Sequence, residues 1–197
     1  DQALDHAPEM DLAALLKARA LSKLHRYQEC LAFLQRLPGS LRESREYWIN
    51  LGVAAHGCSQ FELAIKSFLS ALAQKMDDAL THYLLGNAFY EAGLKEEAAE
   101  CFRTALLLGL GRNALHVHGL LAFAERENCR WTQAREEFER TQALLDQWSM
   151  QDAVMTSPFA HLSLTDDPMH HLKVSTLMAN TWAHLPPVQR HKRESRA

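Results

Sequence analysis

ALTHYLLGNAFYEAGLKEEAAECFRTALLLGLGR, residues 79–112, reads as two helices folded against each other. Leu85, Gly86 and Phe89 fall at i, i+1 and i+4, on one face of a first helix, and Gly93 is a natural stop for it. Ala98, Phe102 and Ala105 recur at i, i+4 and i+7 on a second helix. Gly86 and Ala98 are small where two backbones must approach, and Phe89 and Phe102 fill the space beside them.

One hairpin cannot bury its apolar faces alone, so the pattern should return at a period of about 34 residues. Stepping back by that period takes Leu85 to Leu51, Gly86 to Gly52, Ala98 to Ala64, Phe102 to Phe68 and Ala105 to Ala71. Trp48 stands three residues before Leu51, where an aromatic is expected. A second step reaches Ala18, Leu21, Cys30, Leu34 and Leu37, all small or apolar. Forward of residue 112 the register slips, because Ala134 and Phe138 follow Ala98 and Phe102 by 36 residues. The two extra residues belong around Leu110 to Leu115. The pattern resembles the tetratricopeptide family over most of Ala3 to Trp148, which implies an all-α, right-handed superhelical solenoid of helix-turn-helix repeats with a C-terminal extra helix.

In chain order, residues 1–10 read as the remnant of a preceding repeat, with Pro8 as a helix-stopping proline. Repeats follow at 11–44, 45–78, 79–112 and 113–148. The first helix of repeat one starts near Met10 or Asp11, and Pro38-Gly39 ends its second. Gly57 ends the first helix of repeat two, and Ser59 or Gln60 opens the next. The second helix of repeat four runs on to about Trp148. Residues 149–185 read as a linker plus one helix over Asp167 to Leu185, with Asp166 as its cap, Pro168 in its first turn and a stripe of Val174, Leu177, Met178 and Leu185. Pro186-Pro187 ends it, and 186–197 read as a disordered basic tail.

Composition agrees with a helical array. Of 197 residues 47% are hydrophobic and 23% charged, with only 8 Gly and 6 Pro, and no segment reads as a strand. A net charge of -3 supplies no global positive field to neutralise phosphates, so no nucleic-acid partner is expected. No apolar run approaches the roughly 20 residues that span a membrane. The 4 Cys (Cys30, Cys58, Cys101, Cys129) lack CxxC spacing and suit reduced structural thiols in a cytoplasmic protein.

Catalytic chemistry is not expected of the chain. It offers no nucleophile with a matching base, no Gly-rich phosphate loop and no paired carboxylates, and it implies no cofactor. His116 with His118, and Asp166 to His171, make no chelate unaided, because i, i+2 and adjacent helical residues diverge, so no metal site is assigned. The first helices of such a solenoid line its concave side, and their non-packing positions are the candidates for contact with a protein or peptide ligand. The polar and aromatic members are Arg19, Lys23, Asn50, His56, Tyr83, Asn87, Tyr90 and Arg126. Lys95, on a convex second helix, is expected to take no part. Oligomeric state is left open by the sequence.

The stretch Ser157 to Leu185, SPFAHLSLTDDPMHHLKVSTLMANTWAHL, resembles the segment joining repeats to the glycosyltransferase region in bacterial SPINDLY-like relatives of O-linked N-acetylglucosamine transferase. That resemblance implies an array that docks protein substrates for sugar-nucleotide chemistry lying further along a longer parent protein. The animal enzyme's array carries Asn at position 6 of successive repeats. Here Asn50, in WINLG, matches, while Leu16, Leu84 and Leu120 take the other places. The alternative is a stand-alone scaffold or an oligomerisation module.

Overall fold

The turn of every hairpin is the same backbone device. The computed structural model describes residues 8–183, and within them His25, Ser59, Gly93 and Cys129 all adopt positive φ (57°, 58°, 82° and 58°). In each turn the left-handed residue's N–H bonds to the carbonyl three residues back, and the next N–H reaches five residues back: Arg26 to Leu21, Gln60 to Ala55 and Leu94 to Phe89, each at 2.9 Å, and Arg130 to Glu125 at 2.8 Å. This is the Schellman arrangement, which satisfies the orphaned carbonyls of a helix end. Only Gly93 announces itself in the sequence as a left-handed residue.

These turns join α1 (Pro8–Lys23) to α2 (Tyr27–Leu34), α3 (Arg45–Gly57) to α4 (Phe61–Gln74), α5 (Ala79–Glu91) to α6 (Lys95–Leu108), and α7 (Ala114–Glu127) to α8 (Trp131–Leu145). Ser44 and Asp78 cap α3 and α5 by accepting from the backbone N–H of Tyr47 and Thr81. A 3-10 turn at Gly111–Asn113 precedes α7. The helical pairs form a right-handed superhelical solenoid. Along it α1 approaches α3 and α3 approaches α5, while second helices make no comparable approach to one another, so the first helices lie on the inner side.

Packing follows the small and large alternation, with one refinement. The nearest neighbour of Gly52 is the ring of Phe68, and that of Gly86 the ring of Phe102. A Cβ at either glycine would sit 2.5 Å or 2.6 Å from the ring's Cε1. The two rings, 1% exposed, thus fill the space their glycines leave, and each burial contributes roughly 2 to 3 kcal/mol. Repeat one is built the same way around Ala18, Cys30 and Leu34. Repeats are also tied side chain to side chain across one period: Arg45 to Asp78, Gln74 to the Glu43 carbonyl at 2.8 Å, and Asn128 to the Lys95 carbonyl at 3.1 Å.

Several expected boundaries move. Pro8 opens α1 instead of stopping an earlier helix, because its missing N–H is one that a first turn leaves unpaired anyway. α8 ends at Leu145, and Gln147 and Trp148 continue only as turns to the Leu144 and Leu145 carbonyls. A short helix, α9 (Pro158–His161), stands within the stretch read as linker. The cap of α10 (Pro168–Asn180) is Asp167, which accepts from Met169 N–H at 2.9 Å; Asp166 lies one residue too early. α10 ends at Asn180, and Thr181, Trp182 and Ala183 continue only as turns, short of the expected Leu185. Residues 1–7 of the expected remnant and the basic tail 186–197 lie outside the described residues.

Candidate functional site

On each inner helix the positions i, i+4, i+7 and i+11 form an outward stripe. They are Leu12, Leu16, Arg19, Lys23 on α1; Glu46, Asn50, Val53, Gly57 on α3; Leu80, Leu84, Asn87, Glu91 on α5; and His116, Leu120, Phe123, Glu127 on α7. All are half-buried or exposed. Leu12, Leu16 and Leu80 are 60%, 53% and 50% exposed, an apolar floor that no other part of the described chain covers. A list of polar groove residues alone missed these leucines, although their recurrence at the second and sixth positions of the repeats was available as a signal.

Of the residues expected to contact a ligand, Arg19 and Lys23 are exposed, and among the described residues they make no ion pair. Asn50 is half-buried and donates to the Glu46 carbonyl of its own helix at 2.9 Å. His56 packs edge-on to Phe61 at 5.8 Å. Burial holds its pKa below the ordinary value, against the opposite pull of Glu91 and the Asn87 backbone, and its Nε2 is buried without a hydrogen-bond partner. His56, Asn87 and Glu91 therefore share one neighbourhood where α3 meets α5.

Tyr83 and Tyr90 serve the protein's own joints. Tyr83 Oη lies 3.0 Å from His116 Nε2, and His116 Nδ1 lies 2.7 Å from the Thr156 carbonyl. A carbonyl only accepts, so Nδ1 carries the proton and Nε2 accepts from the tyrosine. Burial keeps this imidazole neutral by lowering its pKa. Tyr90 donates to Glu127 at 2.5 Å. Burial, and then that carboxylate, raise the phenol well above its usual range. Lys95 Nζ pairs with the same Glu127 at 2.5 Å and lies 5.3 Å from the centre of the Tyr90 ring, so it belongs to this edge and not to a passive convex face. Arg126 is exposed and lines a separate cleft of about 250 Å³ with Trp131, Phe138 and Leu164 at the far end of the array.

The C-terminal segment occupies the place beside α7 that the first helix of a fifth repeat would take. Gly119 is the equivalent of Tyr83 after the slip. A Cβ there would lie 2.6 Å from Ser157 Oγ and 2.7 Å from His161 Nε2. Val154 N–H bonds to the Leu177 carbonyl at 3.2 Å, Thr156 Oγ1 donates to the Val174 carbonyl at 3.0 Å, and Leu115, Leu145, Val154, Val174 and Leu177 form the core beneath. His161, fully buried, has Nδ1 2.7 Å from His170 Nε2. His170 is thus a partner of His161. Among the described residues no group of three or more His, Cys, Asp or Glu is placed to hold a metal ion, and no helix is long and apolar enough to cross a membrane.

This is the fold of a tetratricopeptide-type solenoid. Among solved structures, MamA residues 41 to the end from Desulfovibrio magneticus RS-1 is similar, with a TM-score of 0.63 and 21% identity over 71% of this chain and 77% of that one. An ArsTM double mutant of the RS-1 MamA gives 0.63 and 22% over 70% and 76%. Both are helical-repeat solenoids, and at this identity the likeness speaks for the fold alone. No protein-family model and no curated protein sequence matches the chain.

Proposed function

We propose that the protein is an interaction module that binds a segment of another protein along the inner face of its first helices. The observation that carries this is the outward stripe: exposed Leu12, Leu16 and Leu80 run beside the amides Asn50 and Asn87 across successive repeats. Such a surface takes apolar side chains on the leucines and backbone groups on the amides. Peptides selected from a random display library on the wild-type protein supply the probes. Asn87→Ala should weaken them, while Glu139→Ala, exposed on a second helix, should not. Equal isotherms for the two variants would rule the inner face out.

The finer reading, an array that docks substrates for a linked glycosyltransferase, rests on the resemblance of Ser157 to Leu185 alone. Coding sequence past Ala197 tests it: an α/β region supports it and a stop codon removes it. A second reading, an oligomerisation module, is favoured by Phe159, Leu162 and Met169, which are 80%, 60% and 68% exposed at the opposite end from α1. Light scattering over a concentration series separates it from a monomeric binder.

A further inference from the structure

Uncompensated charge is unevenly distributed along the inner face. Arg19 and Lys23 stand four residues apart on α1, exposed and without an ion pair among the described residues. Two repeats on, the place of Lys23 is taken by Glu91, also exposed and in no ion pair among the described residues. Between them, on α3, the place belongs to Gly57, and the neighbouring His56 is held neutral by burial. Beyond them, on α7, it belongs to Glu127, whose charge is already met by Lys95 at 2.5 Å. Glu46, at the opposite end of the α3 stripe, is met by Arg45 at 3.6 Å. At the level of Lys23 the free charge is therefore positive on α1, absent on α3 and negative on α5.

We propose that the segment bound on this face has its own charges segregated: acidic where it crosses α1, basic where it reaches Glu91, and uncharged between, over Val53 and Gly57. This deepens the reading of the inner face as a peptide-binding surface and rests on it. Neighbouring helix axes lie about 8 to 10 Å apart, so α1 and α5 are roughly 20 Å apart, a distance an extended segment crosses in about six residues. At physiological salt the Debye length is about 8 Å, so the two ends are read independently. One charged end alone gives partial affinity; both ends in register give specificity. A uniformly acidic or uniformly basic segment meets repulsion at one end.

Fluorescence anisotropy with three labelled peptides of equal composition, each roughly twelve residues long, tests this. In one the acidic and basic residues are separated by about six apolar or neutral residues; in the second they alternate; in the third the spacing is halved. The segregated peptide should bind about tenfold more tightly than the other two. The preference should shrink with added salt and disappear in Arg19→Glu/Lys23→Glu. A peptide with both ends basic should regain affinity for that double variant. Equal affinity for all three peptides, each weakened by Asn87→Ala, would overturn the charge rule and leave the inner-face reading standing. Binding unaffected by Asn87→Ala would overturn both, and failure of all three peptides to bind would overturn the proposal.

Discussion

Glu125 occupies, one repeat further on, the position that Phe89 holds in repeat three. Their neighbours change with them: Leu69 and Leu94 at one junction become Arg103 and Arg130 at the next. The first junction is an open apolar groove lined by Ile65, Leu69, Phe89 and Leu94. The second is an ion-pair cluster in which fully buried Glu125 meets Arg103, and Arg130 at 3.6 Å, while Arg103 also reaches Glu100 at 2.5 Å and Arg130 reaches Glu96 at 3.2 Å.

Removing the arginine from that cluster strands the fully buried Glu125 carboxylate. Arg103→Leu should destabilise the protein by roughly 3 kcal/mol. The triple change Glu125→Phe with Arg103→Leu and Arg130→Leu, which copies the junction one repeat earlier, should be near neutral or stabilising. Urea unfolding of both variants measures this, and a triple variant as unstable as the single one contradicts the equivalence of the two junctions.

Acid should loosen the C-terminal cap. His161 is pushed down to about 3 by burial and then by the facing imidazoles of His170, His171 and His116. His170 is lowered by burial, with Lys173 and His171 adding to that and Asp167 and Asp146 opposing it. Below pH 6.5 the unfolded chain takes protons that the folded histidines refuse, so stability is full above that pH and falls as pH drops toward 3. For His161 alone the loss is about 2 kcal/mol between pH 6.5 and about 4.5. Urea melts followed by tryptophan fluorescence across this range should show the slope, and His161→Gln should flatten it.

A methyl group on Gly86 has no room. Gly86→Ala sets a Cβ 2.6 Å from Phe102 Cε1 and should cost roughly 1 to 3 kcal/mol by overpacking. Gly39→Ala, with nothing within 4 Å, should change stability by about 0.5 kcal/mol or less. Thermal melts of the pair provide the comparison, and a silent Gly86→Ala would contradict the packing.

The left-handed turns give substitutions of opposite sign. Ser59 sits at φ 58° and Gly93 at φ 82°. Ser59→Gly should stabilise by roughly 0.5 to 1 kcal/mol and Gly93→Ala should destabilise by roughly 1 kcal/mol. Equilibrium unfolding reads both, and matching signs would contradict the turn assignment.

The helical-hairpin period was legible because it is local. Gly86 with Phe102 and Gly52 with Phe68 mark close approach within one repeat, and a repeat tests itself by recurrence. What stayed hidden depends on contacts outside the period. A glutamate in a helix reads as surface, and only alignment of Glu125 with Phe89 across the slip reveals a buried position. His161 and His170 meet across an irregular turn that no periodicity describes. Ser59, His25 and Cys129 adopt a conformation their side chains do not advertise. At the inner face Asn50 and Asn87 were legible as polar groups, but the internal bonds of Tyr83 and Tyr90 depend on His116 and Glu127 in the following repeat.

Repeat arrays lengthen by gene duplication, and the fit of Gly119 restricts where a copied unit can be tolerated. An extra hairpin spliced between repeats two and three meets surfaces shaped for hairpins on both sides. One spliced after repeat four would carry Ser157 and His161 away from the hollow at Gly119 and offer a new first helix to a glycine that has no side chain to meet it. Lineages of this chain should therefore vary in length toward the amino-terminal side of α7, and keep the join between α7 and the segment that follows α8 as a fixed unit.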